Sequence, residues 1–188
     1  NKVEIASYFS CMDMIEALNG TVGDVSSYLD YGYFGVIGAD FDENGRSTGE
    51  YTPKMSYYAL QHLCSVFCED YEIADIPAES LINRSKPILA DDYDFEKTYH
   101  FGVRKPNGSS ALVYWIPKDI LTETIETTVS LKIKKESVPG EVRIADLLTG
   151  DIYSVPENIL NADDDGYLYF KNLPATDSPL MITFGDFY

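Results

Sequence analysis

Basic residues are scarce in this chain of 188 residues: 14 Lys and Arg stand against 31 Asp and Glu, which leaves a formal net charge of -17 at pH 7. Phosphate groups bind to cationic surfaces, so this composition excludes nucleic acid and anionic membranes as partners. A neutral, polyhydroxylated partner such as a carbohydrate is not repelled. Aromatic side chains, which make up 13% of the residues, can stack on such a partner.

Long apolar runs and cysteine-rich segments are also missing. Nothing in this sequence predicts a segment that crosses a bilayer or a signal peptide. The chain opens at Asn1 rather than Met, which favours a processed or excised piece and leaves an extracellular or a cytoplasmic location equally open. Cys11, Cys64 and Cys68 have neither the density of a disulfide scaffold nor the CxxC spacing of zinc and redox sites, so we expect small buried hydrophobic side chains.

Signals for a metal or a cofactor are weak. The two histidines have no spacing typical of a zinc site or a Ser/His/Asp triad. Residues 40–45 (DFDENG) and 161–166 (NADDDG) resemble the front of a calcium loop, but Tyr51 and Asn172 stand where an EF-hand needs its bidentate Glu. We therefore expect Asx- and Gly-rich turns, with adventitious calcium as the alternative, and no cofactor or metal site.

The first third, residues 1–70, has the pattern of one terminal βα segment. Residues 3–9 (VEIASYF) have strand composition, and residues 33–38 (YFGVIG) form a short apolar run. Thr52 and Pro53 then give a helix cap and a first-turn proline, which predicts a helix to about residue 68. Parallel strands need helices on both faces, so this segment alone is an incomplete piece of a larger α/β barrel or sheet.

The predicted helix has a broad apolar face. Its centre is formed by Met55, Ala59, Leu63 and Val66. A face of this width indicates that the helix packs against a large partner surface.

The rest of the chain predicts β structure. Residues 71–94 have the composition of a connector, and residues 95–188 that of an antiparallel β-sandwich with short strands separated by turn residues. Strands are expected at 97–103, 110–116, 128–134, 141–146, 151–155, 167–171 and 180–184. The fold class is therefore mixed and mainly β: an antiparallel β-sandwich preceded by a partial α/β segment.

Several motifs resemble one enzyme class. Residues 33–37 (YFGVI) and 53–61 (PKMSYYALQ) resemble the closing segment of (β/α)8-barrel glycoside hydrolases, with Met55 where that class usually has Pro. The second half is similar to the β-sandwich that many of these enzymes carry at the C-terminus. Its matching segments are 99–101 (YHF), 107–109 (NGS), 112–115 (LVYW), 146–150 (DLLTG) and 178–180 (SPL).

This resemblance implies a role without catalysis. In such barrels the acid/base and nucleophile carboxylates follow the fourth and seventh strands, and both would precede Asn1. The expected function is the non-catalytic C-terminal part of a glycoside hydrolase, which completes and braces the barrel. Its expected partners are carbohydrate, through the parent enzyme, and either the missing barrel or a second copy at the exposed face of residues 1–70. The alternatives are a stand-alone carbohydrate-binding module or a structural domain of a surface protein.

Four residues are candidates for carbohydrate contact, and none is a candidate for catalysis. Barrel active sites lie at the C-terminal ends of strands, so Ser10, Met12 and Asp13 are candidates to line a sugar site in the intact parent. A solvated loop or a helix-start charge is the favoured interpretation of these residues. Trp115, with Tyr114 on the opposite strand face, is a candidate for stacking on a sugar, although a single Trp in a central strand more often belongs to the core.

Overall fold

The computed structural model describes residues 6–8, 10–14, 34–42, 46–83, 98–116, 127–134, 141–156, 160–162 and 166–188. In these parts of the chain the fold is mainly β with antiparallel sheets, as the sequence predicts, and it contains one α-helix. The chain forms two compact units, residues 1–61 (unit 1) and residues 62–188 (unit 2). Within the described ranges, no helix is long and apolar enough to cross a membrane.

Unit 1 contains a short parallel pairing between residues 10–13 and residues 36–37. A parallel bridge joins Met12 to Ile37. The backbone N–H groups of Val36, Ile37 and Asp13 donate to the carbonyl oxygens of Ser10, Cys11 and Ile37, at 3.3, 3.0 and 2.9 Å. Parallel neighbours require a long crossover connection, and the stretch of sequence between these two segments is long enough to provide one.

An antiparallel hairpin follows the parallel pairing. Strand β1 (Ile37–Phe41) pairs with β2 (Ser47–Pro53), and the helix α1 (Met55–Val66) starts directly afterwards. The sequence predicted turn residues over most of this hairpin and a helix cap at Thr52. Thr52 instead pairs with Gly38 in the ladder, and the helix begins after Pro53.

The apolar face predicted for α1 is mostly uncovered. Val66 is its buried residue, whereas Met55 is 72% exposed and Leu63 is also exposed. The expected burial of this face is therefore not present within the described part of the chain.

Unit 2 holds a larger and a smaller antiparallel sheet. The larger has six strands in the order β3-β5-β6-β12-β8-β9, and the smaller has four in the order β10-β11-β7-β4. Their bounds in chain order are β3 (Glu72–Ala74), β4 (Ala78–Asn83), β5 (Tyr99–Arg104), β6 (Ser110–Trp115), β7 (Thr127–Lys134), β8 (Val142–Asp146), β9 (Ile152–Ser154), β10 (Leu160–Ala162), β11 (Tyr167–Ala175) and β12 (Leu180–Phe184).

One hydrophobic core contains side chains from both sheets. Leu112 and Ile182 of the larger sheet share a buried cluster with Leu131 and Phe170 of the smaller one. The hydroxyl of Tyr114 in β6 donates to the carbonyl oxygen of Pro174 in β11 at 3.0 Å, which links the two sheets by a hydrogen bond. The inner faces of both sheets thus bury their apolar residues against each other.

A second cluster lies on the opposite face of the larger sheet. Val103, Val113 and Met181 point there, because side chains alternate along each strand. Val66 at the end of α1 is buried in the same cluster, with Phe67 packed beside it. This face therefore receives the last turn of the helix.

The strand pattern follows the prediction in most of unit 2. The alternation in β7 is confirmed, since Val129, Leu131 and Ile133 are buried. The predicted connector, residues 71–94, differs from the structure because β3 and β4 lie within it and pair with β5 and β7. The strand predicted at residues 3–9 lies largely outside the described residues.

Candidate functional site

Asp13 lies at the end of the parallel segment with its side chain only 2% exposed. Its Oδ1 accepts hydrogen bonds from the Gly35 N–H at 2.8 Å and from the Lys54 ammonium at 2.6 Å. Gly35 is required here, because a Cβ would lie 2.2 Å from the backbone nitrogen of Asp13. Both donors converge on one buried oxygen, so this carboxylate ties the parallel segment to the residue that precedes α1.

Ser10 and Met12 share the segment with Asp13. Met12 is 42% exposed, Ser10 is half-buried, and the Ser10 hydroxyl donates to the carbonyl oxygen of Met12 at 2.6 Å. The structure therefore places the predicted residues along one short segment that bridges to Ile37, with Asp13 directed inward. That they line a sugar site in an intact parent stays a prediction.

Trp115 is half-buried and forms an aromatic cluster with Tyr99 and Phe101. Its ring stacks on Tyr99 with a centroid distance of 5.8 Å and an interplanar angle of 27°, and meets Phe101 edge-on at 6.1 Å and 75°. Tyr99 is 53% exposed and Phe101 is 37% exposed. Tyr114 lies on the opposite face of the strand, as predicted, and it is buried there. Trp115 therefore belongs to a partly open aromatic surface as well as to the edge of the second cluster.

Tyr99 and Phe101 were not predicted as neighbours of Trp115. The signal was present in the period of two, which puts Tyr99 and Phe101 on one face of their strand. What the sequence lacked was the register, which sets Tyr99 opposite Trp115. The three rings therefore form a partly exposed apolar surface. That this surface stacks on a sugar stays a prediction.

The end of α1 is held in the turn after β8. The Nδ1–H of His62 donates to the carbonyl oxygen of Leu148 at 3.1 Å. Oδ1 of Asp146 accepts from the N–H groups of Leu148 and Thr149 at 2.8 and 3.2 Å, which shapes the turn. Gly150 completes it with φ of 82°, and a Cβ there would lie 2.7 Å from the His62 ring. His62 is thus a packing and hydrogen-bonding residue of this helix end.

The remaining chemical candidates do not form a site. Cys11, Cys64 and Cys68 are exposed free thiols, so the expectation that they are buried is wrong. The reason for Cys64 is that α1 buries only Val66. In the described ranges no group of His, Cys, Asp and Glu is placed to hold a metal ion. Both calcium-loop-like segments lie partly outside those ranges.

Compared with models of known protein families and with curated proteins, the chain gives no match.

Proposed function

We propose that this chain is the non-catalytic C-terminal part of a glycoside hydrolase. In this proposal unit 1 is the last βα segment of a (β/α)8 barrel, and the two sheets of unit 2 form a C-terminal β-sandwich. The chain completes the barrel and braces it, and the catalytic carboxylates belong to the barrel's earlier strands.

The observation that carries the proposal is the parallel pairing of residues 10–13 with residues 36–37. Parallel sheets are found almost only where helices cover both faces and several strands lie side by side. The described part of unit 1 contains one parallel bridge, and in this proposal the other strands and helices belong to the rest of the barrel. A hairpin and then α1 follow the parallel segment, so a helix follows a parallel segment along the chain, as in a barrel unit, with the hairpin inserted between them.

The exposed side of α1 supports the same proposal. Met55, Tyr58 and Leu63 are large apolar residues that are exposed in this chain. A helix of a barrel buries such a face against the strands that it covers. The missing strands of the barrel would provide that surface.

A bracing role is supported by the attachment of the helix end to the larger sheet. Val66 is buried against that sheet, and His62 is bound to the turn that contains Gly150. The last turn of α1 is therefore fixed by apolar packing, a hydrogen bond and a close backbone contact together. These contacts lie within unit 2 and hold the last turn of α1 in place there, which is what a bracing role needs.

The reading frame and its product test the proposal. We expect the frame to extend upstream of Asn1 by roughly 300 residues or more, the size expected for the rest of a barrel. We expect the product of the whole frame to hydrolyse glycosidic bonds in a panel of oligosaccharides and aryl glycosides, and residues 1–188 alone to be inactive. A frame that begins near Asn1, or a whole product that is inactive on the panel, refutes the proposal.

The aromatic cluster favours one second candidate, a carbohydrate-binding module. Tyr99, Phe101 and Trp115 would then stack on sugar rings, and titration with soluble glycans would change the fluorescence of Trp115 to saturation. The matched variant is Tyr99→Ala, which removes the stacking partner and leaves the fluorophore in place. Unchanged fluorescence across a broad panel of glycans removes this candidate.

A further inference from the structure

A concave surface lies on the outer face of the smaller sheet, which is the face turned away from the shared core. We define this outer groove by Glu79, Leu81, Ser130, Lys132, Tyr169, Lys171 and Asn172. Its volume is about 410 Å³, within the range of small-molecule and oligosaccharide sites.

A β-bulge shapes the groove. Phe170 pairs with Leu131 and Leu173 pairs with Val129, so Ser130 faces two residues of β11 instead of one. Asn172, one of these two residues, has φ of 55°, a left-handed conformation in which Asn is tolerated better than most residues. The bulge twists β11 locally and brings the polar side chains of Lys171 and Asn172 to the groove.

The charge of this surface is opposite to that of the whole chain. Lys132 and Lys171 line the groove, with Glu79 as its acidic residue, and Lys134 lies on the same face of β7. They are three of only 14 basic residues in a chain with a net charge of -17. A local excess of cations in a concavity attracts an anionic ligand in spite of the overall negative charge.

The central ammonium group is held in position. Nζ of Lys132 lies 4.5 and 5.7 Å from the ring centroids of Tyr167 and Tyr169, and 3.8 Å from Oε1 of Glu79. Desolvation lowers the pKa of Lys132, but Glu79 and Tyr169 outweigh this effect, so its pKa lies above the ordinary value and the group stays charged at neutral pH. A fixed, charged donor loses little conformational entropy when it binds an anion.

The other side chains of the groove suit a sugar ring. Leu81, 68% exposed, and the half-buried Tyr169 offer apolar surface to C–H groups. Ser130 and Asn172 bring a hydroxyl and an amide, which match the hydroxyl groups of a saccharide. A phosphate or sulfate ion alone would use the lysines but none of this apolar surface.

We propose that the outer groove binds an acidic oligosaccharide, with the acid group of the sugar at Lys132 and Lys171 and its ring against Tyr169 and Leu81. The choice of a saccharide rests on the proposed glycoside hydrolase origin of the chain. The groove lies entirely in unit 2, so its ligand can be measured without the barrel.

Isothermal titration of the chain with short oligosaccharides of equal length tests this inference. The probes are an oligogalacturonate (carboxylate groups), a heparin-derived oligosaccharide (sulfate groups) and a cello-oligosaccharide (neutral). We expect at least one acidic probe to bind at least about tenfold more tightly than the neutral one. We also expect binding to weaken as the salt concentration rises from about 0.05 M to about 0.3 M. Preference for carboxylate or for sulfate identifies the acid group.

Variants locate the site. Lys132→Met keeps the apolar stem and removes the charge, so we expect it to weaken acidic binding by about tenfold or more, and Lys132→Arg to restore part of it. Arg143→Gln removes one positive charge from the larger sheet and serves as the matched control, with little effect expected. Far-UV circular dichroism confirms that each variant is folded.

Three results would overturn the inference: equal affinity for neutral and acidic probes, an unchanged affinity in Lys132→Met, or polyglutamate that binds as tightly as oligogalacturonate. If the product of the whole reading frame hydrolyses glycosidic bonds but this chain binds no acidic oligosaccharide, only the proposal for the outer groove is refuted. A frame that begins near Asn1 refutes the glycoside hydrolase proposal and leaves the binding measurement valid.

Discussion

Gly150 is subject to two independent constraints at the scale of one residue. Its φ of 82° lies in the left-handed region, where an L side chain costs about 1–2 kcal/mol. A Cβ would also lie 2.7 Å from the ring of His62. That ring cannot move aside without losing its hydrogen bond to the carbonyl of Leu148. Substitution therefore disturbs the turn and the end of α1 together.

We predict that Gly150→Ala destabilises the chain by about 2–5 kcal/mol, the sum of the left-handed φ and a steric overlap of about 1–3 kcal/mol. Gly108→Ala is the matched control, because Gly108 has φ of 86° but open space around its missing Cβ. Its expected cost is the φ contribution alone, about 1–2 kcal/mol. Urea unfolding measures both values.

The His62→Ala background separates the two contributions. Without the ring, Gly150→Ala should cost no more than Gly108→Ala does. Equal losses for the two glycine variants in the wild-type background would contradict the predicted contact between Gly150 and His62.

Asp13 is the second residue with a sharp expected effect. Asp13→Asn keeps the size of the side chain but removes the charge that meets Lys54 at 2.6 Å. Since the Asp13 side chain is buried and that of Lys54 is 33% exposed, we expect a loss of about 1–3 kcal/mol. Hydrogen exchange at the Gly35 and Ile37 amides measures this loss of stability, because these amides donate to the Asp13 carboxylate and to the carbonyl oxygen of Cys11.

An exposed ion pair provides the control for Asp13. Glu141→Gln breaks the contact with Arg143, in which both side chains are about half exposed, so the expected loss is at most about 1 kcal/mol. A loss as small as this in Asp13→Asn would mean that the buried carboxylate is not an anchor of unit 1.

At the scale of strands and helices, how much could be predicted depended on how regular the side-chain pattern is. In β7 three large residues alternate with polar ones, so the strand and its buried face follow from the sequence. In β4 the inward positions are Ala78, Ser80 and Ile82, of which two are small. A weak alternation next to a proline is a poor indicator of a strand. β4 forms a strand because it can pair with the edge of β7.

The candidate sites were less predictable than the strands, for the same physical reason. Trp115 could be named from the sequence, but its contact with Tyr99 depends on strand register. The outer groove depends on a bulge at Asn172, which no local pattern indicates. Lys54, the partner of Asp13, lies 41 residues away in sequence. Long-range contacts of this kind arise from tertiary structure and have no local sequence signature.

Tyr114 gives a pH prediction for the link between the two sheets. Burial raises the pKa of its phenol above the ordinary 10.0, and the Asp146 carboxylate adds to the rise. The folded state therefore favours the protonated phenol. The contribution of this group to the free energy of unfolding is fully present below pH 10 and is lost as the pH rises towards the folded-state pKa. For one such group the free energy of unfolding falls by roughly 1.4 kcal/mol per pH unit in that window.

Urea unfolding between about pH 8 and about pH 11 measures this slope. Tyr114→Phe should be less stable than wild type near pH 8, by about 1 kcal/mol, because the hydrogen bond to Pro174 is lost. Above pH 10 the free energy of unfolding of Tyr114→Phe should fall less steeply than that of wild type. Partial burial raises the pKa of Tyr188 to about 12, but this residue is 43% exposed and solvent screens it, so it should contribute only a smaller second part of the decline that Tyr188→Phe removes. Parallel curves for wild type and both variants would contradict these assignments.

At the scale of the whole molecule, charge and apolar surface act against each other. The net charge of -17 repels a second copy and keeps the chain apart at low salt. The exposed apolar residues of unit 1, among them Met12, Phe34 and Met55, favour association once that repulsion is screened. In the proposed parent enzyme the barrel would cover these residues, so the isolated chain shows a balance that the intact protein does not.

We therefore predict that the chain is monomeric at about 0.01 M salt and associates reversibly at 0.15 M and above, because the screening length falls from about 30 Å to about 8 Å. Light scattering coupled to size exclusion measures the mass at both salt concentrations and several protein concentrations. Met55→Glu places a charge on the exposed face of α1 and should restore the monomer. Leu81→Glu adds the same charge at a residue of similar exposure, 68% against 72%, in the smaller sheet and should leave association unchanged. A monomer under all conditions, or equal effects of the two variants, would show that the apolar face of unit 1 does not drive self-association.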